Sequence, residues 1–313
     1  MRQLPILDAE VLAGAQVAET EALATIEAGL AAVGLNEAQQ PHPPALSPRA
    51  GAFFQPLIAA LPTDNIACVN WLTYHPENVT VGLPHSGGVL ILNDFTTGEP
   101  LCVMDGIWVS RRRAGYVAGL GVKYLAGDFH DVAVIGPGSI AAFAVDAIAA
   151  LGLLHGELHV CGRRQENAEI FCAQAFSRLG IRGMPYTDAR TALQGARVVL
   201  TSTSHSGPPF IEPDWLEDGT LVVMIDRLRV ITRGLLARAG RIVTNSRDSL
   251  ANWGLEDQSS VRQTLPEIIA DGHRQPVGHN EIVLFDAGGL AVADLAFAGI
   301  LWRRLEGKFK VRG

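Results

Sequence analysis

Apolar residues recur along the chain in two patterns, which together predict alternating strands and helices. The short, wholly apolar run at 132–135 is typical of a parallel strand buried on both faces, and a second strand is predicted at 158–161. The Ala-rich stretch 139–151 between them has the length and apolar character of a helix. Strands that alternate with helices over short loops indicate a doubly wound parallel sheet. Its other predicted elements are strands at 181–184, 197–203, 221–225 and 241–245 and helices at 166–179 and 189–194.

The first 126 residues follow a different pattern and predict a second, α+β domain. Helices are predicted at 9–16 and 20–33, where apolar residues recur at helical spacing. The proline-rich stretch 39–48 is predicted as a loop. Looser alternation then indicates strands and turns. The predicted strands are 4–7, 52–60, 66–74, 87–94 and 101–105, followed by a helix at 109–126 and, at the end of the chain, a long amphipathic helix at 291–305.

Length and charge narrow the class of protein. A chain of 313 residues is too long for one simple core and suits two domains. Its net charge of −7 gives no reason to expect binding to nucleic acid or to an anionic membrane. The N-terminus lacks the apolar core of a signal peptide, and no apolar run is long enough to span a bilayer. We therefore expect a cytoplasmic protein.

Cysteine and histidine are placed without the spacing of a metal site. The four cysteines stand singly at positions 68, 102, 161 and 172, with no C-x-x-C pair. This pattern fits a reducing compartment and argues against a zinc site or a disulfide framework. The nine histidines are scattered in the same way. No bound metal is expected.

A glycine motif between the first two strands of the parallel sheet predicts a dinucleotide site. Gly136, Gly138 and Ala141 fit the spacing G-x-G-x-x-[G/A] of a Rossmann fold. The first glycine permits the tight turn, the second lets the backbone approach a pyrophosphate, and the alanine allows close packing of helix on strand. The N–H groups of Ser139 and Ile140 then begin the helix and face the phosphates. The alternative is an ordinary strand–turn–helix.

The end of the second strand indicates which dinucleotide binds. An NAD site usually carries an acidic residue there for the ribose 2′-hydroxyl. This chain has Gly162, Arg163 and Arg164, with no carboxylate before Glu166. Two guanidinium groups suit a 2′-phosphate, so the sequence predicts NADPH in preference to NADH. The alternative is that both arginines are solvated loop charges.

Polar residues at two further strand ends are assigned to the cofactor. Thr201, Ser202 and Thr203 follow one buried run, and Ile225 ends the next. In open parallel sheets, ligands bind outside the carboxyl ends of the strands. The Ser- and His-rich segment that continues this loop lacks the nucleophile elbow of a hydrolase, so we expect it to line the cofactor.

Motifs along the whole chain closely resemble those of the ornithine cyclodeaminase / mu-crystallin family. The resemblance implies a Rossmann domain at 127–283 inserted into a substrate and dimerisation domain formed by 1–126 and 284–313. It also implies a homodimer, and hydride transfer at a carbon that bears an amino or imino nitrogen. The motifs that carry it are His75-Pro76-Glu77-Asn78, Gly82-Leu83-Pro84, Gly98-Glu99-Pro100-Leu101, Met104-Asp105-Gly106, Arg113-Ala114, Lys123-Tyr124-Leu125-Ala126, Val134-Ile135-Gly136-Pro137-Gly138, Phe285-Asp286-Ala287-Gly288-Gly289 and Asp294-Leu295-Ala296.

The resemblance also assigns substrate-binding residues. Arg113 matches the family's substrate arginine, and Arg49 is similar to a second one. A guanidinium group suits a substrate carboxylate because it offers a two-point fork. The alternative for Arg113 is a solvated charge on a helix. His85 falls where the family usually has a threonine near the nicotinamide, where it is either a proton donor to a nascent amine or a hydrogen-bonded loop residue.

Two positions depart from the family pattern. The family usually has a lysine where this chain has Asn70, which cannot act as a general acid or base, although we still assign it to substrate binding. Strict register places Leu228 at the family's catalytic aspartate, and Asp226 two positions earlier. Asp226 is the candidate catalytic acid, and the alternative is that it only pairs with Arg227 or Arg229.

The leading hypothesis is an NADPH-dependent oxidoreductase that acts on CH–NH or C=N groups. It would transfer hydride to the imine carbon of a small imino acid, as a ketimine reductase or an amino-acid dehydrogenase does. One alternative is an NAD-recycling cyclodeaminase that releases ammonia from ornithine or lysine, against which the two arginines after the second strand and Asn70 speak. Another is a non-catalytic NADPH-dependent binding protein like mu-crystallin, which Asn70 and Leu228 favour.

Overall fold

The computed structural model describes residues 4–41, 43–49, 51–247 and 263–309. They form two compact units, with Met1–Arg113 and Leu290–Gly313 in unit 1 and Ala114–Gly289 in unit 2. The sequence placed these boundaries at 126/127 and 283/284, whereas the first observed boundary falls inside a helix, Gly106–Leu125. The later part of this helix packs closely within unit 2, since a Cβ on Gly119 would lie 2.6 Å from that of Ala147.

The elements alternate in chain order much as the hydrophobic pattern predicts. Most observed bounds lie within one to three residues of the expected ones. They are β1 (Ile6–Leu7), α1 (Ala9–Ala13), α2 (Glu19–Gly34), β2 (Leu46–Arg49), β3 (Ala52–Leu61), β4 (Ile66–Tyr74), β5 (Ser86–Asp94), β6 (Pro100–Asp105), α3 (Gly106–Leu125), β7 (Val132–Ile135), α4 (Ser139–Ala150), β8 (Leu158–Cys161), α5 (Gln165–Leu179), β9 (Gly183–Tyr186), α6 (Ala189–Leu193), β10 (Val198–Thr201), β11 (Leu221–Met224), α7 (Arg233–Arg238), β12 (Arg241–Thr244), α8 (Leu265–Ala270), β13 (Val283–Asp286) and α9 (Ala291–Leu305).

Unit 1 is a six-stranded sheet with helices on one face. The strand order is β1-β6-β5-β4-β3-β2, and every pair is antiparallel except β1 with β6. Helix α9 contacts β3, β4, β5 and α2. Since side chains alternate between faces, cross-strand partners share a face. The row that holds Asn70 is buried, and its members are Leu7, Met104, Leu90, Asn70 and Leu57.

Two predictions for unit 1 were wrong. The end of the proline-rich stretch 39–48 is not a loop but belongs to β2, where Pro48 is tolerated because β2 is the edge strand and needs fewer backbone N–H donors. Helix α9 has the expected bounds but is not amphipathic over most of its length. Ala291 to Leu301 is buried throughout, because the helix packs against both the sheet and α2.

Unit 2 contains the expected doubly wound parallel sheet. Its seven strands follow the order β12-β13-β11-β10-β7-β8-β9, and all neighbours are parallel. The four-residue strands at its centre are apolar and buried on both faces, which confirms the predicted fold class. The strand β13 was not predicted; its residues Phe285 and Asp286 were noted only as the start of the late family motif.

Membrane spans and metal sites were considered for the described residues alone. None of their helices combines the length and the apolar character needed to cross a membrane. Over the same ranges, no group of three His, Cys, Asp or Glu side chains has the arrangement to hold a metal ion.

Candidate active site

The glycine turn after β7 forms a cradle that admits no side chain. Gly136 has φ +96°, and a Cβ on it would lie 2.5 Å from the carbonyl oxygen of Ser202 and 2.8 Å from the Thr203 methyl carbon. Gly138 precedes α4 in an extended conformation. The first N–H groups of α4, from Ser139 and Ile140, have no acceptor within the helix. The turn therefore fits a pyrophosphate at a helix N-terminus, and the predicted cofactor residues of β7 and β10 meet here.

Asp226 holds the loop after β10 in place. Its carboxylate accepts hydrogen bonds from Oγ1 of Thr201 (2.6 Å) and from the backbone N–H of Thr203 (2.9 Å). The N–H of Ile225 in turn donates to the carbonyl of Thr201 (2.9 Å). Burial raises the pKa of Asp226 above its ordinary value, against the hydrogen bonds, which lower it. The candidate acid thus lies among predicted cofactor residues, and its bonds tie the ends of β10 and β11 together.

The two arginines after β8 stand beside the glycine turn. Cys161, the last residue of β8, pairs with Ile135, and its carbonyl accepts the N–H of Gly136 (3.0 Å). Gly162 follows, where a Cβ would lie 3.1 Å from Pro137 in the turn. Arg163 and Arg164 are both exposed, and Arg164 is the N-cap residue of α5. Their placement fits contact with a phosphate near the cradle.

A buried polar quartet lies in unit 1 and joins two of the predicted substrate residues. We define the quartet as Asn70, Ser110, Arg113 and Asp294. Arg113 Nε donates to Asp294 Oδ1 at 2.6 Å, and Ser110 Oγ donates to the same atom at 3.0 Å. Asn70 Nδ2 donates to Ser110 Oγ (3.0 Å) and more weakly to Asp294 Oδ2 (3.4 Å). Arg113 and Asp294 are only 5% and 0% exposed, so Arg113 is not a solvated helix charge.

The local sequence explains how the quartet is held. Asp105 Oδ1 accepts the N–H groups of Ile107 (3.0 Å) and Trp108 (2.9 Å) and so stabilises the start of α3. Ser110 and Arg113 are three residues apart in α3 and therefore share one side of it. Gly106 is required at this start because any Cβ there would overlap Asn70 Oδ1. The motif Met104-Asp105-Gly106 therefore stabilises the start of α3 and allows the helix to pack close to β4.

Asp294 and Ser110 are the residues that reasoning from sequence missed. Asp294 was noted only within a family motif, although a lone acid in the first turn of an apolar helix is itself a signal of a buried partner. Ser110 carried no signal of its own. Burial and the Asp294 charge raise the pKa of the Cys68 thiol well above its ordinary value, so this neighbour of the quartet stays uncharged.

The remaining predicted residues of unit 1 are more exposed. Arg49 pairs with Glu77 at 3.1 Å, so the two predicted substrate arginines are bound to different acids. His85 is exposed and meets the ring of Tyr74 edge-on, with centroids 5.6 Å apart. Leu228, in unit 2, is partly buried and packs against the apolar core.

Comparison with known proteins gives the family of the chain. The sequence profile described as the ornithine cyclodeaminase/mu-crystallin family matches residues 6–308. The chain belongs to this family. A relative within it is a Delta(1)-pyrroline-2-carboxylate reductase of Bacillus cereus, which is 27% identical over 248 residues, or 74% of this chain and 75% of the reductase.

Two solved structures share the fold over nearly the whole chain. One is the Delta(1)-pyrroline-2-carboxylate reductase of Thermococcus litoralis in complex with NADH and L-proline, with a TM-score of 0.88, 22% identity and coverage of 98% of both chains. The other is an archaeal alanine dehydrogenase dimer with bound NAD, with a TM-score of 0.86, 25% identity and coverage of 98% of this chain and 97% of that one. Both are similar in architecture to the two units described above.

Proposed function

We propose that this protein is an NADPH-dependent reductase of the C=N bond of a small imino acid. Its family and relatives establish the coarser statement, that it is an NAD(P)-dependent oxidoreductase acting on CH–NH or C=N groups. The observation that carries the finer proposal is Arg113, a guanidinium almost fully buried in unit 1 and fixed through one edge by Asp294. Such a group suits recognition of a substrate carboxylate.

The chemistry is a two-electron reduction. When bound, the nicotinamide supplies a hydride to the imine carbon while the nitrogen takes a proton, so NADPH, H⁺ and imine become NADP⁺ and amine. In unit 2, the cradle at Gly136 and Gly138 would hold the pyrophosphate, and Arg163 and Arg164 the 2′-phosphate. Thr201, Ser202, Thr203 and Ile225 would line the rest of the cofactor site, with Asp226 keeping their loop in shape.

Side chains of unit 1 would hold the substrate. With Nε bound to Asp294, the two Nη groups of Arg113 are the donors for a carboxylate. Asn70 Oδ1 is buried and has no hydrogen-bond partner in the described structure, so it is the acceptor we assign to the substrate. Arg49 is the second cation that would attract the acid. For the proton, exposed His85 is our first candidate and Asp226, with its raised pKa, the second.

The experiment that tests this proposal is oxidation of NADPH by the purified protein with pyrroline-2-carboxylate and piperideine-2-carboxylate. We expect steady oxidation with NADPH and slower oxidation with NADH at the same concentration. Direct titration of NADPH by calorimetry serves as the control for cofactor binding. Binding of NADPH without oxidation by any imine would contradict the reductase and support the binding-protein alternative.

We also propose that the protein forms a homodimer through the open face of the unit 1 sheet. A row of five β-branched residues crosses this face, opposite the row that holds Asn70. Its outer members Ile6 and Ile58 are 75% and 42% exposed, and the other members are Val103, Ile91 and Val69. A continuous apolar surface of this kind is typical of an interface between two copies.

Ile58→Glu is expected to convert the dimer to a monomer. Two-fold symmetry would bury the new charge twice, so we expect the dimer dissociation constant to rise at least about 100-fold. Light scattering after gel filtration measures the mass. Ile170→Glu is the matched control, because Ile170 lies on α5 of unit 2 and is similarly exposed at 48%. A wild-type monomer, or an unchanged Ile58→Glu dimer, would exclude this interface.

A further inference from the structure

We infer that the substrate carries an aryl or similarly bulky apolar group, which packs on the rings of Phe53 and Tyr74. This inference rests on the proposed function, because it takes Asn70 and Arg113 as the residues that hold the reacting end. It goes further by naming the chemical class of the rest of the molecule. The pair Phe53 and Tyr74 is called the aromatic wall below.

The aromatic wall lies on the same face of the sheet as Asn70. Phe53 pairs with Tyr74, and Leu57 pairs with Asn70, in one unbroken antiparallel register. The two pairs are four residues apart along each strand, and even spacing keeps side chains on one face. Tyr74 therefore lies about 13–14 Å along β4 from Asn70, at about 3.4 Å per residue. A small ring held at Asn70 would not extend that far, whereas a phenyl substituent would extend towards it.

The geometry of the wall is that of a preformed surface for an aromatic ring. The rings of Phe53 and Tyr74 stack with centroids 5.6 Å apart and planes 25° from parallel. His85, our first candidate proton donor, meets Tyr74 edge-on. Phe53 and Tyr74 are only half-buried, whereas Leu57 and Asn70 are buried. The side chains of this face are thus more exposed at the wall than at Asn70, and apolar ring surface at the wall remains available to a ligand.

Between the quartet and the wall, the side chain of Leu72 extends this apolar surface. Leu72 and Gln55 pair with each other there, and both are half-buried. None of the nine positions that β3, β4 and β5 place along this stretch of the face carries an acid; they are Phe53, Gln55, Leu57, Asn70, Leu72, Tyr74, Ser86, Gly88 and Leu90. A terminal ammonium group, as in ornithine or lysine, would find no counter-charge on these strands, whereas an apolar group fits them.

The test compares two ligands that differ only by a phenyl group. N-methyl-L-phenylalanine and N-methyl-L-alanine are the products expected from the methylamine imines of phenylpyruvate and pyruvate. We expect the phenyl compound to bind the NADP⁺-loaded protein at least about tenfold more tightly by calorimetry, since a phenyl ring buries far more apolar area than a methyl group can. We expect kcat/KM for the two imines to favour the phenyl substrate by a similar factor.

Matched variants assign this preference to the wall. Tyr74→Leu, which removes the ring, is expected to lower the preference for the phenyl ligand about fivefold to tenfold, whereas Tyr74→Phe should leave it unchanged. Phe54→Leu is the control for loss of a ring from the adjacent strand. Phe54 pairs with Thr73 and so lies on the opposite face, and we expect its replacement to leave the preference intact.

The binding measurement decides this inference, and turnover decides the proposed function. Equal or weaker binding of the phenyl ligand overturns the aromatic wall, whether or not the imines are reduced. An equal loss for both ligands in Tyr74→Leu overturns it as well. Tighter binding of the phenyl ligand upholds the wall even if none of the imines is reduced, the two cyclic imino acids included, and that last result rejects the reductase.

Discussion

Replacing Arg163 and Arg164 with alanine is expected to raise the KM for NADPH at least about 100-fold and to change that for NADH by less than about threefold. Each guanidinium group would donate charge-assisted hydrogen bonds to the 2′-phosphate, worth about 1.5–3 kcal/mol apiece. NADH lacks this phosphate and loses little. Steady-state assays with a fixed imine and each cofactor measure the difference.

We expect the change in KM for NADPH to be specific to the two arginines that follow β8. Arg190→Ala removes an exposed arginine elsewhere in unit 2, one that pairs with Asp214 at 3.1 Å, and serves as the control for loss of positive charge. We expect it to leave both KM values unchanged. Equal increases in the KM for NADPH and for NADH in the double variant would show that the arginines do not bind the 2′-phosphate. The prediction that the protein prefers NADPH would then be wrong.

Arg113→Met is expected both to abolish turnover and to destabilise the fold. Asp294 would remain buried with no counter-charge, which costs about 3–5 kcal/mol in the free energy of unfolding. Loss of a two-point carboxylate contact would by itself lower kcat/KM at least about 100-fold. The two effects must therefore be separated, because an unstable protein is inactive whatever the role of Arg113.

The double variant Arg113→Met, Asp294→Asn separates them. It removes both charges of the pair, and the amide oxygen introduced on α9 can still accept the hydrogen bond from Ser110. Denaturant unfolding should show most of the lost stability restored, while activity stays at least about 100-fold below wild type. Recovery of activity together with stability would show that Arg113 is a structural residue only. A binding titration with N-methyl-L-alanine would measure the loss of carboxylate binding by Arg113 without relying on turnover.

The parallel sheet could be predicted from the sequence because its strands are short and buried on both faces. Such strands read as continuous apolar runs, and β7, which is one of them, has the predicted bounds. The glycine turn was predictable for a similar reason, since no residue with a side chain fits at Gly136. The strand pattern is local, and the glycine spacing of the turn is visible in a few neighbouring residues, although the atoms that exclude a side chain at Gly136 belong to the distant Ser202 and Thr203.

The quartet could not be predicted in the same way. Asp294 is separated by 181 positions from Arg113 and by 224 from Asn70, and only the folded sheet and helix bring them together. The strand β2 was missed because its tolerance of Pro48 depends on its place at the sheet edge. Burial of α9 on more than one side likewise depends on partners far away in sequence.

The position of Asp294 also constrains the order in which the chain can fold as it leaves the ribosome. Unit 2 is one continuous stretch, so a nascent chain can complete it soon after residue 289 emerges. Unit 1 cannot be completed then, because α9, which carries the counter-charge of Arg113, follows unit 2 in the chain. At about 5–20 residues per second, the roughly 180 residues between the two charges take about ten seconds or more to synthesise. During that interval the half-built sheet lacks the helix that covers it, so the apolar face that packs on α9 stays exposed to solvent.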